Sequence, residues 1–226
     1  MEKMKLVLTA LAGCVLCNYS AEAQITLGVK GGYSSAVLEE DLADLPGITR
    51  EENPRMGITG GIFMNFTLPL IPVSIQPELL YVRKGSIVKA SGSPGGIYQN
   101  TEVTTTLHYL ELPVLAKFNI PVPAPVTPYI FAGPAYSYLI ASNEHIDNTV
   151  GTLHENFTSD PAPRIGKNDF GITFGGGVDF TILVTKVTVD ARYTFGMMNI
   201  NKKDKDTDPE RTVKNRTWMV MVGIAL

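Results

Sequence analysis

Cysteine is almost absent from this 226-residue sequence, which limits how its fold could be cross-linked. The two cysteines, Cys14 and Cys17, lie in an apolar stretch near the start of the chain. Their CxxC spacing occurs in redox and zinc motifs, but within an apolar run we interpret them as part of a secretory signal. Residues 11–14 (LAGC) also resemble a lipoprotein cleavage box, which is the alternative for this segment. A chain cut after the signal would contain no cysteine and therefore no disulfide.

The first 23 residues predict a secretory signal peptide. Lys3 and Lys5 form a basic start, residues 6–17 form an apolar core, and a small-residue motif places cleavage between Ala23 and Gln24. We therefore expect an exported protein whose single domain covers residues 24–226.

Long apolar runs are also missing. A helix that crosses a bilayer needs roughly 20 apolar residues, whereas the core of the signal has about twelve. No later run approaches that length. The sequence therefore excludes a helical membrane protein.

The sequence has no excess of positive charge. It carries 19 Lys and Arg residues against 22 Asp and Glu residues, for a formal net charge of −3. A nucleic-acid-binding surface needs a basic footprint, and none is present. We predict no nucleic-acid partner.

What the sequence does contain is alternation with a period of two, which is clearest around residues 107–138. Leu112 and Val114 share one face of an extended run, while Glu111 and Lys117 share the other, because side chains alternate across a strand. The following prolines, at 121, 123, 125 and 128, exclude a helix and favour a turn. A strand with one apolar and one charged face fits a transmembrane β-barrel, apolar side outward.

The same alternation recurs eight times along the chain. The runs lie near 25–34, 56–68, 73–84, 107–118, 129–138, 169–180, 187–195 and 217–226. The fifth run has an ambiguous register, because Tyr129 and Phe131 compete with Ile130, Tyr136 and Tyr138 for the outer face. We predict eight antiparallel strands.

The connections alternate between long and short. The long, polar ones cover 36–55, 85–105, 142–168 and 198–216, and the short ones cover 69–72, 120–127 and 181–186. Long external loops and short periplasmic turns are typical of outer-membrane barrels. The predicted fold is therefore an all-β, eight-stranded antiparallel up-and-down transmembrane β-barrel with long extracellular loops and short periplasmic turns.

Outward-facing aromatic side chains gather near the two ends of the predicted strands, as expected for two aromatic girdles. The members are Tyr33, Tyr81, Tyr193, Phe195 and Trp218 at the loop end, and Phe66, Phe118 and Phe180 at the turn end.

Charged residues of both signs occupy the inward positions of this barrel. They are Lys30, Glu78, Glu111, Lys117, Asp179, Asp190 and Arg192, with Lys84 and Asp169 nearer the rim. Eight strands enclose a space that side chains can fill, so near-balanced charges predict a structural ionic network that closes the lumen. A narrow water path is the alternative. An acid/base set of Glu111, Asp190 and Arg192 lacks a nucleophile at a diagnostic spacing.

Four other patterns resemble chemical sites without meeting their requirements. Gly171 and Gly175–Gly177 imitate a phosphate loop, but a strand pattern continues through them instead of a helix. The acidic run at 204–210 imitates a calcium loop, but its sixth position is proline and its twelfth is asparagine. His145 and His154 could form a surface metal site, although their spacing is unspecific, and we interpret His108 as a rim residue. We predict no metal, cofactor or catalytic residue.

Four stretches of the sequence resemble a known family: HYLELPVLAKFN, TPYIFAGPAYSYLI, DFGITFGGGVDF and VDARYTFGMMNIN. They are similar to the outer-membrane β-barrel domain of Bacteroidetes, often called the PorT family, and the similarity extends from TLGVKGGYSS to MVGIAL. The resemblance implies an eight-stranded barrel in the outer membrane of a Gram-negative bacterium. The name-giving member is linked to protein secretion, and the family provides no catalytic residues to transfer.

The leading hypothesis is a non-enzymatic outer-membrane barrel with a closed or nearly closed polar lumen and a structural or interaction role in the envelope, such as an accessory role in protein secretion. The expected partners are outer-membrane lipid, the barrel-assembly machinery and envelope or secretion proteins. The alternatives are a small passive channel, a barrel-embedded lipid-modifying enzyme and a soluble lipocalin-like barrel. The lipocalin model inverts the faces, so it requires Glu111 and Lys117 outside and the apolar face inside.

Overall fold

The computed structural model describes residues 24–40, 48–69, 71–93, 99–122, 125–161, 165–182, 185–201 and 212–225. The signal peptide and cleavage site predicted at the start of the chain lie almost wholly outside this part. The described residues contain no helix that is long and apolar enough to cross a membrane. They form nine strands: β1 (Gln24–Glu40), β2 (Ile48–Thr67), β3 (Val73–Gly92), β4 (Gln99–Asn119), β5 (Val126–Val150), β6 (Leu153–Ser159), β7 (Asn168–Ile182), β8 (Thr185–Gly196) and β9 (Val213–Ala225).

Eight of these strands close into a ring. Each pairs antiparallel with its neighbours in the order β1, β2, β3, β4, β5, β7, β8, β9, and β1 pairs with both β2 and β9. The pairing of β4 with β5 completes the circuit. The ninth strand, β6, pairs with residues 144–150 at the far end of β5. The predicted eight-stranded up-and-down barrel is therefore confirmed, with one additional short strand beyond its rim.

The apolar side of the alternation faces outward. Leu112 and Val114 are each 46% exposed and Val220 is 57% exposed, whereas Glu111 is completely buried and Lys117 is 3% exposed. An exposed apolar wall of this kind is stable against lipid and unstable against water. The soluble lipocalin-like alternative is therefore wrong, because it needs both faces reversed.

The structure also resolves the ambiguous register of β5. Tyr129 and Phe131 point into the barrel, where both are almost completely buried. Ile130, Tyr136 and Tyr138 lie on the outer wall. The interior position of the two aromatic rings is possible because β7 presents glycines opposite them, at Gly175 and Gly177.

The outer wall defines the membrane-spanning segments. Exposed apolar residues run through 25–33, 58–66, 75–81, 110–118, 130–138, 170–180, 187–195 and 218–224. Nine residues rise about 30 Å along a strand, and a tilt near 40° reduces the height to about 23 Å, close to the roughly 25 Å apolar band of such barrels. The aromatic side chains predicted for the loop-end girdle border this band, and the rings of Tyr193 and Trp218 lie 4.8 Å apart.

The long connections are shorter than the sequence predicted, because the strands continue past the membrane band. The predicted loop at 142–168 contains the end of β5 and all of β6, and the other three lose residues to β1–β4 and β9. Polar cross-strand pairs such as Lys89–Glu102, with 3.0 Å between nitrogen and oxygen, connect these extensions. The alternation of apolar residues ends where the strands leave the lipid, but the backbone hydrogen bonds between strands continue beyond that point. The alternation in the sequence therefore predicted only the membrane-spanning part of each strand.

Candidate functional site: the closed lumen

The middle of the lumen holds a compact group of ion pairs. Glu78 accepts hydrogen bonds from Lys30 Nζ at 2.8 Å, from Arg192 Nη1 at 2.6 Å and from Gln76 Nε2 at 2.6 Å. Asp190 accepts from Arg192 Nε at 2.8 Å and from Lys30 Nζ at 3.1 Å. We call Lys30, Glu78, Asp190 and Arg192 the central cluster. Its two cations and two anions balance, so no net charge is buried there.

The strands position the central cluster by simple alternation. Asp190 and Arg192 are two residues apart on β8, so both side chains point inward and the Arg192 guanidinium folds back onto Asp190. In the register, Gly177 faces Asp190 and Gly175 faces Arg192. A Cβ atom at Gly175 would lie 2.8 Å from the Phe131 ring. The glycine run therefore provides space for large inward side chains and has no phosphate-loop geometry.

A second group lies toward the short turns. Lys117 Nζ donates to Asp179 Oδ2 at 2.8 Å and lies 3.5 Å from the centre of the Tyr129 ring. The Tyr129 hydroxyl is 2.6 Å from Thr188 Oγ1. The Tyr129 ring thus covers the salt bridge, and both Lys117 and Asp179 are almost fully buried.

A third group lies toward the long loops. Lys84 Nζ is 2.6 Å from Glu111 Oε2, and Ser137 Oγ donates to the same carboxylate oxygen at 3.0 Å. Asn215 Nδ2 donates to Asp169 Oδ2 at 2.7 Å. All five side chains are almost fully buried. Lys84 and Asp169 do lie nearer the rim than the central cluster, but they are covered from above.

The cover is an apolar cluster that sequence reasoning missed. It consists of Leu38, Leu107, Tyr109, Leu139, Ile200 and Val213, with Ile165 packed against it; we call these residues the plug. Ile200 lies in residues 197–201, directly after β8, and its side chain packs into this cluster. Its amide donates to the Val213 carbonyl at 2.9 Å, and its carbonyl accepts from the Gly166 amide. In the sequence, Ile200 is a single isoleucine just before the charged run at 202–211, which does not indicate a buried position.

A further apolar layer lies inside the wall. Leu80 and Val82 on β3 pack against Met219 and Met221 on β9. On these parts of β3 and β9, both the inward and the outward residues are apolar. The sequence therefore lacks the alternation of polar and apolar residues that would identify the inward face. Methionine adapts well to irregular gaps of this kind.

The lumen of the described residues is therefore filled in successive layers. The seven charged residues predicted inside are all buried there, and each makes an ion pair, but they belong to three groups instead of one network. Breaking a buried pair leaves an uncompensated charge and costs about 3–5 kcal/mol, whereas the intact pair itself adds little stability. The intact ion pairs are therefore weak evidence for a stable fold, whereas the loss of one partner is expected to be costly.

A model of the outer membrane protein beta-barrel domain matches residues 20–202. The chain belongs to this family. The ring of eight strands and the lipid-facing wall described above agree with that membership. This outer-membrane β-barrel has no match among curated proteins.

The comparison with solved structures finds outer-membrane proteins of low sequence identity, and one of them, OprG, supports the fold. OprG of Pseudomonas aeruginosa, an outer membrane protein, is 11% identical with a TM-score of 0.50, over 90% of this chain and 97% of OprG. Neisserial surface protein A is 12% identical with a TM-score of 0.44, over 88% and 96% of the two chains. Ail of Yersinia pestis is 13% identical with a TM-score of 0.41, over 89% and 98%. At these identities the likeness concerns the fold alone.

The remaining site candidates of this outer-membrane β-barrel do not converge on a reactive group. His145 lies on β5 and His154 on β6, and their ring nitrogens are near Thr158 and Thr149. In the part of the chain that the structure describes, no group of three or more His, Cys, Asp or Glu residues could hold a metal ion. The acidic run at 204–210 lies outside the described residues.

Proposed function

We propose that this protein is a closed outer-membrane barrel with a non-enzymatic role in the cell envelope. The observation that carries the proposal is the stacking of three ion-paired groups and an apolar plug along one lumen. A solute path would have to displace several buried salt bridges as well as the plug. A passive channel therefore has little support in this interior.

The carboxylates of the lumen also argue against an enzyme. Glu111 and Asp190 form ion pairs with Lys84 and Arg192 and have almost no solvent access, so a substrate cannot reach them. His108 faces the outer wall, with its Nδ1 atom 2.6 Å from the Tyr81 hydroxyl. A catalytic base needs hydrogen-bond access to a substrate proton. The two buried carboxylates lack that access, and the Tyr81 hydroxyl occupies Nδ1 of His108.

Planar-bilayer recording tests whether the barrel is closed. We expect the purified, refolded protein to give no steady conductance, because every layer of the lumen is filled. A stable ohmic conductance that scales with protein concentration would contradict the proposal and favour the channel. Protein unfolded by boiling serves as the control for detergent artefacts.

The cellular location and partners belong to the same proposal. Membership of the family supports the outer membrane, and the segment before Gln24 supports export by a cleaved signal peptide. The resemblance to the PorT family of Bacteroidetes suggests an accessory role in protein secretion. Outer-membrane lipid, the barrel-assembly machinery and envelope or secretion proteins would be its partners.

Fractionation combined with a heat-shift gel tests this location. We expect the protein in the outer-membrane fraction, migrating faster before boiling than after it, because a folded barrel resists SDS. Recovery from the soluble periplasm, with one mobility under both conditions, would contradict the proposal.

A further inference from the structure

Two arginines near the loop end of the outer wall, Arg55 and Arg83, make no ion pair with any carboxylate of the described residues. Arg83 lies on β3 just above the membrane-spanning segments, and Arg55 lies on β2, where the pairing with β3 is interrupted by a bulge between Pro54 and Thr59. Among the described residues, no carboxylate lies within ion-pairing distance of either guanidinium. In both side chains the Nε atom is buried without a hydrogen-bond partner. By contrast, the inward cations Lys30, Lys84, Lys117 and Arg192 each form an ion pair with a carboxylate.

The local backbone brings the two arginines together. Gly85, two residues after Arg83 on the same face of β3, has a φ of +148° and no side chain. A Cβ atom on Gly85 would lie 2.0 Å from the Thr105 carbonyl oxygen and 3.2 Å from Arg55 Cδ, so the Arg55 stem passes close to Gly85. Arg55 therefore crosses β3 beside Arg83, and the bulge in β2 directs it there.

His108 completes the group from the neighbouring strand. It is the cross-strand partner of Arg83 in the register of β3 and β4, a relation that places Cβ atoms about 5 Å apart. Tyr81 holds the imidazole, because the tyrosine hydroxyl is 2.6 Å from Nδ1. When that hydroxyl donates, the opposite ring nitrogen carries the proton and is a free donor.

The three groups influence one another electrostatically. Burial, and then the charge of Arg83, lowers the pKa of Arg55. Burial, followed by the charges of Arg83 and Arg55, lowers the pKa of His108. Positive charge concentrated without a counter-charge favours an anion with several acceptor oxygens, and arginine forks match phosphate in particular.

We propose that Arg55, Arg83 and His108 form a binding site for a phosphate group on the outer wall of the barrel. Exposed apolar side chains of Met56, Ile58 and Leu110 begin directly below, on the lipid-facing band. A phosphate carried by a membrane lipid would place its acyl chains against that band while the headgroup meets the arginines. A free phosphate ion offers the same oxygens without this apolar contact.

Calorimetric titration of the barrel, folded in a neutral detergent, tests the site with three probes. The probes are dioctanoyl phosphatidic acid, inorganic phosphate, and dioctanoylglycerol, which has the same chains without the phosphate. We expect saturable binding of phosphatidic acid and none of dioctanoylglycerol. Weaker binding of inorganic phosphate would support a lipid-borne ligand, whereas equal affinity would support the site with the free ion as its ligand. Absence of binding by both phosphate probes would overturn the proposal.

Matched variants separate the site from general surface charge. The double variant R55Q/R83Q should weaken phosphatidic acid binding by about tenfold to a hundredfold, as expected when charge-assisted hydrogen bonds are lost. The control K89Q/K214Q removes the same number of positive charges from other strand positions and should bind like the native protein. Equal losses in both double variants would overturn the proposal.

A charge-conserving variant guards against failure to fold. Each protein is first checked for the faster gel mobility of a folded barrel. If R55Q/R83Q is unfolded, the variant R55K/R83K keeps both charges and loses only the planar fork, so its affinity should fall several-fold. Unchanged affinity in R55K/R83K, at all salt concentrations, would contradict recognition by the guanidinium groups.

Discussion

At the scale of single residues, Glu78 is the side chain on which the central cluster depends. Its carboxylate accepts hydrogen bonds from Lys30 on β1, from Arg192 on β8 and from Gln76 on its own strand, β3. Glu78 therefore connects three strands. Removing its charge leaves two buried cations with one anion, Asp190. The cost of an uncompensated buried charge is large because the protein interior solvates it poorly.

We expect the variant Glu78→Gln to lower the free energy of unfolding by about 3–5 kcal/mol. The measurement is urea unfolding of the barrel in lipid vesicles, followed by the shift between folded and unfolded gel mobility. Glu102→Gln is the matched control, since its pair with Lys89 is solvent-exposed and contributes at most about 1 kcal/mol. Equal stability of the two variants would contradict the importance of the central cluster.

Alternation in the sequence was sufficient to predict which charged residues lie inside, but not which of them pair. Glu78 and Arg192 are 114 positions apart, and their contact depends on strand tilt and stagger around the whole ring. A count of inward charges contains no information on that stagger. Arg55 was missed for a similar reason, since a bulge redirects one side chain without a clear mark in the sequence.

At the scale of elements, β7 shows how a strand is shaped by what it faces. A Cβ atom on Gly175 would lie 2.3 Å from the Ala191 carbonyl oxygen and 2.8 Å from the Phe131 ring. Neither neighbour can move easily, because one is backbone and the other is enclosed in the lumen. The inward glycine is therefore required by packing.

We expect Gly175→Ala to destabilise the barrel by about 1–3 kcal/mol, the usual cost of overpacking a filled interior. Gly31→Ala is the control: it lies on the exposed wall, and its nearest neighbour would be the Thr59 carbonyl oxygen at 3.7 Å. Both variants add one methyl group to a strand, so urea unfolding in vesicles compares them directly. A larger loss from Gly31→Ala would contradict the assigned faces of β1 and β7.

The elements at the loop end were the least predictable part of the fold. β6 has no apolar alternation to mark it, because its residues lie beyond the membrane band and are nearly all exposed. The return of Ile200 into the barrel mouth rests on backbone bonds to Val213 and Gly166 from separate segments. Such long-range bonds cannot be inferred from local sequence.

At the scale of the whole molecule, the inverted distribution of apolar side chains decides the environment. A charge on the lipid-facing wall costs about 2–4 kcal/mol at the middle of the membrane, so the spanning segments carry their charges inward. Inside the barrel, these charged side chains pair with one another instead of with water. An apolar outer wall suited to lipid and, among the described residues, a lumen filled by side chains agree with membership of the outer-membrane β-barrel family.

The chain's single tryptophan provides the most direct measurement of this arrangement. Trp218 is 60% exposed on the outer wall, beside Tyr193, at the loop-end border of the membrane band. We predict that lipids brominated near the top of their acyl chains quench its fluorescence strongly in reconstituted vesicles, while aqueous acrylamide quenches it weakly. Strong quenching by acrylamide with no effect of the brominated lipids would contradict the outward direction of the apolar face.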